Sequence, residues 1–184
     1  MAVPERIRWA VQVLDPAPGD QLLEIGCGPG VAVAAICQRL RDGRVVAIDR
    51  SATAIARATR RNADCIASGR AVLRTVALED LAADGLPEAG PGFDKVFAMN
   101  VNLFWVRDPA RELALIRALL RPGGSLSLFY GYGTPGQGPA TVPGALLGHL
   151  AAAGFTAEVL TGPSVAGVVG RDRGPSRGGP RGRG

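Results

Sequence analysis

The sequence predicts a three-layer α/β fold, a mostly parallel sheet covered by helices on both faces. Short β-rich runs alternate with helical stretches along most of the chain, the order expected of strand–helix–strand units with right-handed crossovers. The apolar run from Phe93 to Asn100 suits a central strand buried on both sides. At 184 residues the chain has the length of one domain with a single sizeable core.

A helical run, IRWAVQVL, carries Trp9 and stops at the Asp15–Pro16 break. The first strand is QLLEI, Gln21 to Ile25, followed by a glycine turn and the helical VAVAAICQRL. The second strand is Arg44 to Asp49, and a helix from Ser51 to Asn62 takes Ser51 as its N-cap. Ala71 to Val76 forms the third strand, and a polar Gly- and Pro-containing stretch, EDLAADGLPEAGPG, leads into the fourth at Phe93. Asp108 and Pro109 open the next helix as N-cap and first-turn residue, and RPGG closes it after Leu120. SLSLFY is the fifth strand, GYGTPGQGPATVPG a loop, Ala145 to Ala153 a helix, and FTAEVL and SVAGVVG two last strands.

Composition narrows the function classes. Hydrophobic residues make up 47% and charged residues 20%, too apolar for a disordered chain. No stretch reaches the roughly 18 apolar residues of a spanning helix, and the first residues lack the basic, apolar and cleavage regions of a secretion signal. A cytoplasmic protein without membrane association is expected. Cys27, Cys37 and Cys65 form no CxxC pair and His149 is the lone histidine, which argues against a zinc site, any other metal site or a disulfide framework. The net charge of +5 suggests nucleic acid until it is located. RDRGPSRGGPRGRG, residues 171–184, holds five Arg and one Asp, leaving 16 basic against 15 acidic residues in the body. We therefore expect one domain over 1–170 and a flexible Arg/Gly/Pro-rich tail over 171–184, since the tail has no apolar face to offset its ordering entropy.

The strongest local signal is LLEIGCGPG, where a strand ends in a carboxylate just before glycines at 26, 28 and 30. Such a turn lets backbone approach a ligand closely, and its amides at a helix start suit an anionic group. The dinucleotide fingerprint GxGxxG needs a small residue where Val31 stands, so the fit to NAD is poor. Glu24, facing the turn, would accept hydrogen bonds from an ammonium group and repel a pyrophosphate. Asp49 closes the second strand, where it either receives two hydroxyls of a ribose or caps the helix that follows. Cys27 reads as a small filler rather than a nucleophile.

LLEIGCGPG, VVAID, FDKVFAMNVNLFW and LLRPGGSLSLFY occur in an order and spacing that resembles the class I S-adenosylmethionine-dependent methyltransferases, over about residues 4–170. The resemblance implies a Rossmann-like, doubly wound sheet of seven strands in the order 3-2-1-4-5-7-6, the last strand antiparallel. It also implies S-adenosylmethionine as cofactor and S-adenosylhomocysteine as product. Gly26, Cys27, Gly28 and Gly30 would hold the methionine part, with Glu24 near its amino group, and Asp49 would accept the ribose hydroxyls. Arg50 would flank the adenine or stand exposed at a helix start. Many family members carry an aspartate where this chain has Ala77, so Glu79 or the backbone around Leu78 would substitute.

By the same analogy, Asn100 at the end of strand four borders the methyl and positions the acceptor, because an amide orients but does not serve as a base near neutral pH. Asn102, Phe104 and Trp105 would line the acceptor pocket, although the two aromatics could instead pack the next helix onto the sheet. Tyr130 and Tyr132 could reach substrate from the end of strand five, and His149 reads as a half-exposed surface residue. Catalysis would rest on alignment and exclusion of water. The expected acceptor is a small molecule, held in a site that is open, completed by a partner subunit or matched to a bulky acceptor. MNVNLFW loosely resembles the Asn-Pro-Pro-aromatic motif of base-methylating enzymes, but Val101 and Asn102 replace the prolines, so a nucleic-acid acceptor is the alternative. A cofactor-binding protein without catalysis is another, and a nicotinamide oxidoreductase fits least. The expected assembly is a monomer or homodimer.

Overall fold

The computed structural model describes residues 3–82, 85–131 and 144–172. Seven strands, β1 Gln21–Ile25, β2 Arg44–Asp49, β3 Ala71–Thr75, β4 Phe93–Met99, β5 Leu120–Tyr130, β6 Phe155–Thr161 and β7 Ala166–Asp172, form one sheet in the order β3-β2-β1-β4-β5-β7-β6. The pairs from β3 to β5 are parallel, and β7 runs antiparallel to both β5 and β6. The expected topology is the observed one.

Alternation along the strands divides the core into two layers. Leu23 and Ile25 face Val96, Ala98 and the inner face of α6 (Ala110–Leu119), where Leu113 and Ile116 are buried. Leu22 points the other way with Val45, Ala47 and Phe97, against α1 (Glu5–Leu14) and α2 (Val31–Cys37). Trp9 of α1 meets the Phe129 ring edge-on at a centroid distance of 5.8 Å. Lys95, the sole lysine, donates to Asp20 and to the Asp15 carbonyl, each at 2.7 Å, tying the end of α1 to β4.

Several boundaries differ from expectation for local reasons. The helix α3 (Ala52–Arg61) starts at the N-cap Ser51, whose hydroxyl accepts from Ala54 N, but Asn62 leaves helical geometry and a further short helix, α4 (Ala63–Ala67), follows. RPGG, expected to close the helix after Leu120, instead follows a helix that ends at Leu119, and the fifth strand starts at Leu120 rather than Ser125. RPGG lies inside β5, where Leu120 pairs with Phe93 and the register then shifts, with Gly123 at φ +82. The helix α6 begins at Ala110, whose amide donates to Asp108 Oδ1, with Pro109 as N-cap. MNVNLFW breaks after Met99 and continues as α5 (Leu103–Val106). The late helix is α7 (Gly144–Ala152), and β7 runs two residues past position 170. Tyr132, most of the glycine-rich loop and residues 173–184 of the tail lie outside the described residues.

The cysteine reading needs correction. Cys37 at the end of α2 and Cys65 in α4 form a disulfide, their Cα atoms 6.3 Å apart. Spacing in sequence hid it because α4 was not foreseen, and it is α4 that brings Cys65 beside α2. Among the described residues, no helix is long and apolar enough to cross a membrane.

Candidate functional site

The strand order reverses on either side of β1, because its first crossovers lead toward β3 and the chain then returns to β4 on the other flank. Loops leaving β1 and β4 therefore diverge at the carboxyl edge and leave a crevice between them. A cavity of about 500 Å³ lies there.

The glycine turn forms one wall. Gly26 N and Cys27 N donate to Ile48 O at 2.8 and 3.1 Å, fastening the turn to β2. Gly26, Gly28 and Gly30 have φ of +71°, +51° and +71°, the left-handed region that glycine enters without steric cost. A Cβ at Gly26 would lie 2.6 Å from Val101 Cγ2, and one at Gly30 would lie 2.5 Å from Asn62 Nδ2. Around Gly28 no atom stands within 4 Å of a Cβ position, so that peptide faces open space. The end of α3 pins the turn from behind. Buried Asn62 donates through Nδ2 to Gly30 O at 3.0 Å, and Arg61 Nε donates to Pro29 O at 2.9 Å.

Asp49, the last residue of β2, ties the glycine turn to the residue that caps α3. Its Oδ2 accepts from Gly28 N at 2.9 Å, and its Oδ1 accepts from Ser51 N at 2.8 Å. These bonds fix the carboxylate while leaving lone pairs on both oxygens directed elsewhere. Glu24, the last but one residue of β1, is 3% exposed, and its Oε2 has no hydrogen-bond partner. Burial, and secondarily the Asp49 charge, push its carboxyl up to about 8. Cys27 is buried, and burial followed by the charges of Glu24 and Asp49 pushes its thiol up to about 12. It stays a neutral thiol packed in the layer with Leu22 and Val33.

The cavity lining runs from β3 to the loop after β4. Asp49, Arg50, Ala77, Leu78 and Glu79 line one end, Gly26 the middle, and Met99, Asn100, Asn102, Leu103, Val106 and Arg107 the other. Leu78 and Glu79 belong to a 3-10 turn, which brings them to the wall beside Ala77.

Of the residues expected beside the acceptor, Asn100 and Asn102 line the cavity, and Tyr130 and Trp105 do not. Asn100 has φ +56°, a conformation asparagine tolerates better than most side chains. Its Nδ2 donates to Gly131 O at 2.7 Å and its Oδ1 accepts from Gly131 N at 2.8 Å. Both halves of the amide thus hold β5 to β4, while the residue itself lines the cavity. Tyr130 is buried in the core with its hydroxyl donating to Val101 O at 3.2 Å, and it is not among the lining residues. Trp105 is 37% exposed on the outer side of α5 and does not line the cavity, whereas Phe104 is fully buried beneath it. His149 is half-buried on α7, its Nδ1 3.9 Å from Asp108 Oδ1 and away from this crevice.

Sequence reading missed Asn62, Val106 and Arg107. Asn62 looked like the end of a helix, and nothing local says that it reaches Gly30, 32 residues earlier. Val106 and Arg107 enter the wall because α5 turns the chain back over the end of β4.

Comparison with known proteins agrees with this geometry. The family model described as a methyltransferase domain matches residues 22–124. The trans-aconitate 2-methyltransferase of Methylobacterium radiotolerans is 33% identical over 175 residues, covering 91% of this chain and 58% of that protein. A SAM-dependent methyltransferase structure from Aquifex aeolicus superposes with a TM-score of 0.69 at 15% identity, covering 92% of this chain and 90% of that one. The magnesium protoporphyrin IX methyltransferase (ChlM) of Synechocystis PCC 6803, solved with bound SAM, gives 0.63 at 17% identity, covering 90% and 76%. At those identities the structures speak for the fold. The chain spans 31%, 58% and 45% of the first three curated relatives it matches.

Proposed function

The chain belongs to the methyltransferase-domain family, the class I S-adenosylmethionine-dependent methyltransferases, and from that we propose that it methylates a small-molecule acceptor. The observation that carries the reading is a pair of carboxylates beside the glycine turn, at the ends of β1 and β2. Glu24 is buried with an unpartnered oxygen, and Asp49 is fixed by two backbone amides with lone pairs to spare.

Those residues fit S-adenosylmethionine. A buried acceptor without a partner is costly, and an ammonium group would supply the missing donor to Glu24. Asp49 offers two oxygens to a vicinal diol. Gly28 leaves room for close approach, and Arg50, Leu78 and Glu79 stand where an adenine would extend from the ribose. When bound, the cofactor supplies an electrophilic methyl on a cationic sulfur. The chain's part is to hold and align: Asn100 ties the ends of β4 and β5, and Asn102, Leu103 and Val106 form the wall on which an acceptor would rest. Alignment and water exclusion are the main sources of rate for such a displacement.

A cavity of about 500 Å³ falls in the range of small-molecule sites, roughly 300–1,000 Å³, and suits the cofactor; Val101 and Asn102, standing where base-methylating enzymes have prolines, favour a small acceptor over nucleic acid. The name carried by relatives such as that of Methylobacterium radiotolerans puts trans-aconitate among the first compounds to assay.

Calorimetry with S-adenosylmethionine, S-adenosylhomocysteine and NAD tests the cofactor. The first two are expected to bind and NAD is not. Binding of NAD in their place would remove the reading. Formation of S-adenosylhomocysteine with an acceptor then separates an enzyme from a protein that merely binds the cofactor.

A further inference from the structure

The charged lining of the cavity is divided between its ends. Asp49, Arg50 and Glu79 stand at the ends of β2 and β3, whereas Arg107 stands beyond β1, at the α5 end. Arg107 follows α5 in extended backbone, φ −150° and ψ 173°, and its Nη2 donates to Glu112 Oε1 at 2.7 Å. The pair is asymmetric: the Arg107 side chain is 49% exposed and that of Glu112 3%. The anion is held inside α6, and the cation is presented outward. A guanidinium carries five N–H donors in a planar fork, so one bond to Glu112 leaves donors for a second oxyanion. Around it Leu103 and Val106, the latter 60% exposed, give the wall an apolar part beside Asn102.

We propose that Arg107 is an acceptor-binding residue and that the acceptor is a carboxylic acid with an apolar body, anchored through its carboxylate at the α5 end. The inference rests on the methyltransferase reading and names the anchor, not the methylated atom. At this end of the cavity Arg107 is the one cation among the described lining residues, and its guanidinium matches a singly charged carboxylate in a bidentate contact, with Leu103 and Val106 beside it for an apolar body. A dianionic phosphate would keep one negative charge without a second cation at this end.

The test uses the full chain saturated with S-adenosylhomocysteine. Octanoate and phenylacetate are titrated calorimetrically beside octanamide, phenylacetamide and phenyl phosphate. The two carboxylates are expected to bind and the amides to bind at least about tenfold more weakly, the loss typical of a charge-assisted hydrogen bond. Arg107→Gln should weaken carboxylate binding by a similar factor, and Arg107→Lys should restore part of it. Because Arg107→Gln leaves Glu112 buried without its cation, the double variant R107Q/E112Q removes the pair together and should behave as the single one does. S-adenosylmethionine affinity, measured separately, should hold in all variants. Equal binding of amides, preference for phenyl phosphate, no binding of either carboxylate, or undiminished carboxylate binding in the double variant would each overturn the proposal while leaving the cofactor reading standing. Failure of the wild type to bind S-adenosylmethionine would overturn both.

Discussion

Asp49 joins three parts of the site through two oxygens. It orients the Gly28 amide, receives Ser51 N and faces the cavity. Asp49→Ala should therefore reduce S-adenosylmethionine affinity at least about tenfold, from the 1.5–3 kcal/mol of a charged hydrogen bond. Asp49→Asn, which keeps one acceptor oxygen, should lose less; equal affinities for wild type and the alanine variant in calorimetry would show that the ribose lies elsewhere. Glu24 gives a second residue-scale expectation. Its carboxyl is raised to about 8 from an ordinary 4.5, so between these values the folded chain keeps a proton that the unfolded chain has released. The contribution of Glu24 to stability accordingly falls as pH rises from about 4.5 to about 8, and levels off above. Urea melts of wild type and Glu24→Gln at pH 5 and pH 8 should differ in slope, the variant lacking this loss, and parallel pH profiles would refute the assignment. Neither carboxylate's behaviour could be read from sequence beyond its presence beside the glycines, because burial and the Gly28–Asp49 bond arise from the pairing of β1 with β2.

At the scale of elements, the seven strands were legible and the short helices were not. Short apolar runs and the alternation of strand and helix mark β1 to β4 plainly, whereas α4 and α5 hold five and four residues, too few for a helical period to declare itself. The glycine turn was legible as a turn, and its support was not. Asn62 holds the end of α3 to it from 32 residues away, and the Cys37–Cys65 disulfide holds α4 to the end of α2 across 28, distances across which one sequence shows no pairing. Arg107 was invisible for the same reason, since its place in the wall depends on α5. The turn itself predicts a graded series. Gly30→Ala meets both a positive φ and Asn62, and is expected to lower stability by about 1–3 kcal/mol, whereas Gly28→Ala meets strain without a clash and should cost less. Thermal melts should rank the two in that order, while both weaken the cofactor. Replacing Cys37 and Cys65 by serine releases a closed loop across 28 residues and should lower stability by about 2–4 kcal/mol in the chain-entropy account. An unchanged melting temperature would mean that the cross-link does not hold α4 to α2 in solution.

Taken whole, the molecule opens the crevice proposed for the cofactor on the edge where the sheet's winding reverses, with both core layers converging behind it. Filling that crevice should therefore stabilise the entire fold rather than one loop. A ligand that binds the native state at one hundred times its dissociation constant adds about 2.7 kcal/mol, or a rise of roughly 5–10 °C in melting temperature for a chain of this size. Glu24 makes the rise depend on pH. Near pH 6 the unliganded carboxyl is protonated, while an adjacent ammonium favours its ionised form. Binding then expels a proton, and affinity gains up to about tenfold for each unit that pH increases through this range. At a fixed concentration of S-adenosylmethionine, the thermal shift at pH 7 should exceed that at pH 5.5, in opposition to the falling stability of the unliganded chain. In Glu24→Gln the two shifts should be equal, because no proton remains to be displaced. A wild-type shift independent of pH would separate Glu24 from the ammonium site and leave its buried oxygen to be explained by packing alone.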